Sequence, residues 1–146
     1  AHLGEEAREA IIAERGLARC TPGTTTDPAR LRDELASIRT QGFAVDDEEY
    51  EEGLRCIGAP IVSHTGLVVA AIGIGGPVTR VTPKRVAELA ELVMSAAGSL
   101  SRRMGAEQSG AYAPTALRVR TQERAQRGAA RPATQSLDNE TTHKER

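Results

Sequence analysis

The chain has 146 residues, room for about one domain, and its formal net charge of -1 is too near neutral to mark a partner of nucleic acid or of an anionic membrane. Aromatic residues make up only 2% of it, so any core has to be aliphatic. No run approaches the roughly 18 apolar residues of a membrane span, and the first residues lack the basic-then-apolar profile of a signal peptide.

Cys20 and Cys56 lie far apart in unlike surroundings and make no disulfide framework, so a reducing, cytoplasmic setting is expected. The chain opens at Ala1 already inside a helical pattern, which reads as a piece of something longer. Glu5 to Arg15 places Leu3, Ala7, Ala10 and Ile11 on one helical stripe. Its first-turn carboxylates suit the positive end of the helix dipole, and Gly16 stops it. Leu17 to Thr26 (LARCTPGTTT) is rich in Thr, Pro and Gly and marks a loop. Asp27-Pro28 starts a second helix with an N-cap carboxylate and a proline at the first position. Leu31, Leu35 and Ile38 form its buried stripe, and Gly42 ends it.

Phe43 to Val45 has the length of a short strand. Asp46 to Glu52 then holds six carboxylates and one Tyr in seven residues. No core buries that density of charge, so the run is expected as a loop or an exposed helical turn, with Arg55 near enough to neutralise part of it. Cys56 to Val62 (CIGAPIV) is strand-like, and Pro60, which lacks an N–H, points to an edge position or a bulge. His64-Thr65-Gly66 is a turn. Leu67 to Gly75 is apolar at every position, the pattern of a strand covered on both sides. The two β segments joined by a Gly-containing turn predict an antiparallel hairpin. Thr82-Pro83 opens a last helix whose stripe runs Val86, Leu89, Ala90, Val93, Met94, Ala97 and Leu100. From 105 to 146 the composition shifts to Ala, Arg, Thr and Gln and reads as a disordered tail, giving a folded unit over 1–104.

Several chemistries can be weighed on these residues. The acidic run has the oxygens a hard cation needs but not the spacing or the fixed Gly of an EF-hand loop; a solvated loop is expected and no metal. Cys56 with His64 as base would make a thiol nucleophile. The hairpin puts them at opposite ends, however, and no helix N-terminus follows Cys56 to lower its pKa or hold an oxyanion. Gly73, Gly75 and Gly76 suggest a dinucleotide loop, but such a loop opens a helix at once and here the helix waits until Pro83. Gly73 and Gly75 share one strand face, which favours a cavity or the close approach of another backbone. Arg118, Arg120, Arg124, Arg127 and Arg131 make a weakly basic stretch best read as solubilising.

The stretch GFAVDDEEYEEGLRCIGAPI, the turn after it, VVAAIGIGGP and TRVTP together resemble the C-terminal effector-binding domain of IclR-family bacterial transcription regulators. LARCTPGTTTDPARLRDELASIRTQG is similar to the family's threonine-rich loop and the helix after it. The likeness runs from about Ala1 to about Met104. It implies an α+β, GAF-like fold, present in part, with an antiparallel sheet and flanking helices. It also implies binding of a small-molecule effector, an organic acid or aromatic metabolite, that controls a separate winged helix-turn-helix. The family's ligand contacts fall on Asp46 and Cys56, which match, and on two strand positions, often Ser, that are Gly73 and Gly75 here. The expectation is a sensing domain with no cofactor, an effector larger and less polar than a small keto acid, homo-oligomerisation, and no DNA binding by this chain alone. An interaction module, a remnant without function and a Cys-dependent enzyme are the alternatives.

Overall fold

The computed structural model describes residues 1–106. Its centre is a three-stranded antiparallel sheet in the order β1-β2-β3, formed by β1 (Ala44–Asp47), β2 (Leu54–Val62) and β3 (Val68–Pro77). Before the sheet come α1 (Glu5–Arg15) and α2 (Pro28–Gln41); after it, a turn of 3-10 helix at Pro83–Arg85 leads into α3 (Val86–Arg103). This is the expected α+β arrangement of an antiparallel sheet with flanking helices.

Middle strand β2 alternates strictly. Arg55, Ile57, Ala59 and Ile61 are buried, while Leu54, Cys56, Gly58, Pro60 and Val62 are half-buried. α3 lies on the buried face. Its steps of three and four put Phe43, Ile57, Val81, Val86, Leu89 and Ala90 into one cluster, and Ala59, Ile61, Val93 and Ala97 into a second. Met94 packs against both. Fully burying side chains such as Ile57 and Val86 contributes about 1.5–3 kcal/mol each. Phe43 is the one aromatic ring in that core, so shape-matched aliphatics carry it.

Local chemistry sets the boundaries. Asp27 caps α2 by accepting from the Ala29 N–H at 2.9 Å, with Pro28 at the first position, and Gly42 ends it in the left-handed region (φ 83°). Thr82, expected to cap the last helix, makes no side-chain cap bond; the 3-10 turn comes first and α3 starts at Val86. The acidic run divides. Asp46 and Asp47 finish β1, and only the residues from Glu48 onward form the hairpin loop. Glu48 sits at φ 58° and its N–H donates to the Leu54 carbonyl at 3.0 Å. Its carboxylate accepts from the Gly53 N–H at 2.8 Å.

Asp47 is paired across the strands with Arg55 and forms an ion pair with it. The buried Arg55 guanidinium also donates to the Val81 carbonyl at 2.5 Å, so one cation ties the end of β1 to the connection between β3 and α3. Pro60 lies in the middle strand, not at an edge; the alternative reading holds, because the register with β3 slips between Ile61 and Val62. At that irregularity the Val62 N–H donates to Ser101 Oγ at 2.9 Å, and Ser101 Oγ donates to the Ala97 carbonyl at 2.8 Å.

The structure overturns two expectations. β3, expected to be covered on both faces, is largely exposed: only Ile72 and Gly76 along it are half-buried. It is an edge strand, and α3 sits over β2 beside it. The apolar stripes of α1 and α2 are likewise not buried; neither helix contains a buried residue, and Leu3, Ala7, Ala10 and Ile11 are exposed. An apolar stripe needs an opposing surface, and among the described residues the close packing joins the strands to one another and to α3, not to α1 or α2. Arg32 bonds Glu9 through Nε at 2.9 Å, and that bond pulls the Glu9 carboxyl down to about 2. Both groups stand in solvent, which screens the pair. The expected tail lies almost wholly outside the described residues, from 107 onward.

Removing Ser101 Oγ leaves the Val62 N–H without its acceptor next to a strand irregularity. Ser101→Ala is expected to lower unfolding stability by about 1–3 kcal/mol, read as a shift in the urea midpoint with unchanged slope.

Candidate functional site

Antiparallel register decides which side chains meet. Asp46 lies opposite Cys56, and Cys56 opposite Gly75; in the next row Ala44 lies opposite Gly58, and Gly58 opposite Gly73. Strand alternation puts both rows on the face turned away from α3, since their neighbours Arg55 and Ile57 point into the core. Adjacent strands stand about 4.8 Å apart, so Asp46, Cys56 and Gly75 form one cross-sheet row with Gly73 beside it. All four residues singled out from the sequence share one surface.

The two glycines serve different ends. A Cβ at Gly75 would stand 2.7 Å from Cys56 Sγ; the thiol occupies the space a side chain there would take. A Cβ at Gly73 would stand 2.8 Å from the Ile57 carbonyl oxygen, so the obstacle there is backbone. A larger residue at 75 requires only that a thiol rotate, whereas at 73 the strands themselves must part. The floor of this face is therefore peptide and thiol, with a carboxylate at one end.

Burial first, and the Asp46 carboxylate second, push the Cys56 thiol above its ordinary pKa. Both act against the thiolate, so the group is a neutral, polarisable surface at neutral pH and a poor nucleophile. Among the described residues no imidazole stands by it. His64 is in the turn beyond the closing Val62–Val68 pair, while Cys56 pairs with Gly75 toward the opposite end of the hairpin. Because the folded pKa is raised, the unfolded chain loses this proton first, and stability falls as pH rises past the ordinary thiol range.

The loop beside Asp46 is held by hydroxyls. Thr21 Oγ1 donates to the Glu48 carbonyl at 2.6 Å, and Thr24 Oγ1 donates to the Glu49 carbonyl at 2.5 Å. In turn Thr24 Oγ1 accepts from the N–H groups of Thr21 and Cys20 at 2.8 and 3.1 Å, and Thr21 Oγ1 accepts from Gly23 at 3.1 Å. Glycine at 23 allows this approach, since a Cβ there would stand 3.2 Å from the Glu48 carbonyl oxygen. Asp46 Oδ1 accepts from the Glu49 N–H at 2.8 Å. The carboxylates are thus taken up singly, Asp46 by a backbone N–H, Asp47 by Arg55 and Glu48 by Gly53, and among the described residues no three potential ligands converge on a metal position.

Asp46 also lines a cleft of about 360 Å³ between α2 and β1. Leu31, Glu34 and Ile38 of α2 form one wall, Ala44 and Val45 the other, and Cys20, Thr24, Glu49 and Tyr50 close the end. Reading the sequence did not assign Cys20, Glu34 or Tyr50 to the site. The one signal was the density of threonines near a loop whose carbonyls would need donors.

The sheet face turned away from α3 thus carries two glycines, a carboxylate and a neutral thiol, and the chain can be set beside known proteins. Residues 1–102 match the family model described as bacterial transcriptional regulator IclR C-terminal. The chain belongs to the IclR family, whose relatives here regulate transcription and are not enzymes. It is 42% identical over 103 residues to the transcriptional repressor AllR of Salmonella typhimurium, covering 70% of this chain and 38% of that protein. Among solved structures it resembles the C-terminal domain of the Escherichia coli regulator KdgR (33% identity, TM-score 0.64, 70% of this chain and 63% of that one). It also resembles the PobR inducer-binding domain of Acinetobacter in complex with 3-hydroxybenzoic acid (29% identity, TM-score 0.64, 68% and 57%). The chain spans between a third and two fifths of the length of the curated relatives it matches.

Under iodoacetamide, exposed Cys20 is expected to alkylate well before Cys56. Asp46→Asn, by removing the neighbouring negative charge, should speed Cys56 modification several-fold at mildly alkaline pH and leave Cys20 unchanged, as peptide mass spectrometry would show.

Proposed function

We propose that residues 1–104 form part of a small-molecule-sensing domain, with the effector seated on the face that carries Asp46, Cys56, Gly73 and Gly75. The observation that carries this reading is the row Asp46–Cys56–Gly75 on the side of the sheet turned away from α3. The remainder of the regulator, including a DNA-reading domain, belongs to the part of the relatives' length that this chain does not span.

The chemistry of the face narrows the effector. Serines at 73 and 75 would each offer a hydroxyl to a small carboxylate; glycines offer none. Each missing neutral contact costs on the order of 0.5–1.5 kcal/mol, and two of them weaken binding by roughly five- to a hundred-fold. Asp46 opposes an anion placed beside it but accepts a bond from a hydroxyl or an N–H. Flat peptide at Gly73 and Gly75 and the neutral Cys56 thiol suit an apolar or aromatic surface. The effector is accordingly an organic acid or aromatic metabolite, larger and less polar than a keto acid of two or three carbons, with a donor group directed at Asp46. Calorimetric titration with 3-hydroxybenzoate and with pyruvate is the test: the aromatic acid should bind more tightly and lose affinity in Asp46→Ala, and tighter binding of pyruvate would contradict the assignment.

DNA binding is not expected of this chain alone. Among the described residues α1 and α2 precede the sheet, α3 packs on one face of it and no helix-turn-helix is formed, and the Arg-rich stretch lies beyond residue 106. A gel-shift assay with residues 1–146 should show no sequence-selective complex at nanomolar protein. The exposed edge strand supports a second property, homo-oligomerisation.

A further inference from the structure

α2 lies across the cleft from Asp46 without being built into the core. It contains no buried residue, and among the described residues the close packing joins the strands to one another and to α3. The cleft of about 360 Å³ runs between this helix and β1, with Leu31, Glu34 and Ile38 on one wall and Ala44 and Asp46 on the other. α1 goes with α2, tied to it by the bond from Arg32 Nε to the Glu9 carboxylate.

The two ends of α2 are held in different ways. At its C-terminal end Gly42 is left-handed, and Phe43 directly after it is buried in the core. A glycine beside an anchored ring makes a pivot, since a few backbone angles at the end of an element can take up the swing of a whole helix. At the other end the Thr-rich loop reaches the hairpin loop through two hydroxyls, Thr21 Oγ1 donating to the Glu48 carbonyl and Thr24 Oγ1 to the Glu49 carbonyl. Thr24 and Glu49 both line the closed end of the cleft, so their bond crosses its mouth. The same two hydroxyls accept from N–H groups of their own loop, which aims the proton of each at the carbonyls opposite. Such neutral bonds open at small net cost, because water replaces them on both sides.

We propose that α2 and its Thr-rich loop form a hinged lid on this cleft, pivoting at Gly42 and latched by the hydroxyls of Thr21 and Thr24, and that release of the latch admits small molecules to the end that holds Asp46. Pivot, latch and cleft all lie inside residues 1–102, which match the family model. The lid stands on these contacts alone; that its cargo is the effector rests on the function proposed above.

Thiol probes on the two walls test it. In residues 1–146, Ala44→Cys and, separately, Ile38→Cys each place one thiol in the cleft, and iodoacetamide modification is followed peptide by peptide by mass spectrometry. Thr24→Val, which keeps the shape and removes the O–H, should speed alkylation at both probes by roughly two- to tenfold. Amide exchange in β2 and α3 should stay as it was. Thr24→Ser keeps the hydroxyl and should return the original rates. Because valine at 24 also takes an acceptor from the Cys20 and Thr21 amides, Thr21→Val is the second variant, with the same direction expected. Unchanged alkylation at both probes in both valine variants overturns the lid. So does a rise shared equally by amide exchange in β2 and α3, which would make the hydroxyls a general support of the fold. These rates are read without an effector, so a failure of the titration above overturns the sensor reading alone.

Discussion

The seating of α3 on the buried face of β2 is the contact on which the rest depends. With one buried ring in the core, cohesion comes from aliphatic side chains whose spacing has to match: every second residue on β2, every third or fourth on α3. Because one face of β2 is committed to the helix, the residues between must point the other way. Cys56 and Gly58 are therefore turned toward the opposite surface, and pairing adds Asp46, Gly75 and Gly73 to them. The candidate site is a consequence of the core.

Charge is handled by separating it. Six carboxylates within seven residues would repel one another strongly if they shared a surface. The turn at Glu48 and the strand alternation before it send Asp46, Asp47 and Glu48 in different directions, each to its own donor. Arg55 does more than neutralise. Its bond to the Val81 carbonyl joins the end of β1 to the lead-in of α3, so the strand that carries Asp46 is braced from the core side. From the other side the hydroxyls of Thr21 and Thr24 grip the loop. Asp46 is thus held in a loop whose backbone carbonyls and N–H groups take up side-chain partners on both sides.

Much of this was legible beforehand. The caps Asp27 and Gly42, the turn at Gly66, the stripe of α3 and the hairpin all follow from local rules, and the structure keeps them. The four residues Asp46, Cys56, Gly73 and Gly75 were identified through resemblance, and the register brings them to one surface. Residue type alone could not show that the Gly75 position is filled by a thiol, or that the one at 73 is closed by a carbonyl oxygen. The threonine-rich loop was recognised as a loop, but its role as a clasp joins residues about twenty-five positions apart in sequence, beyond the reach of any local pattern.

By itself the sequence determined the family, the order of helices and strands, and the aliphatic character of the core, because periodicity, capping and turn chemistry act over a few residues. Only the tertiary structure decided what is covered. Leu67 to Gly75 has the composition of a strand buried on both faces, yet composition reports what a segment can bury and not what lies against it. Whether an apolar strand is a core element or an open edge depends on the elements packed beside it, and in residues 1–106 a single long helix, centred on β2, leaves β3 exposed.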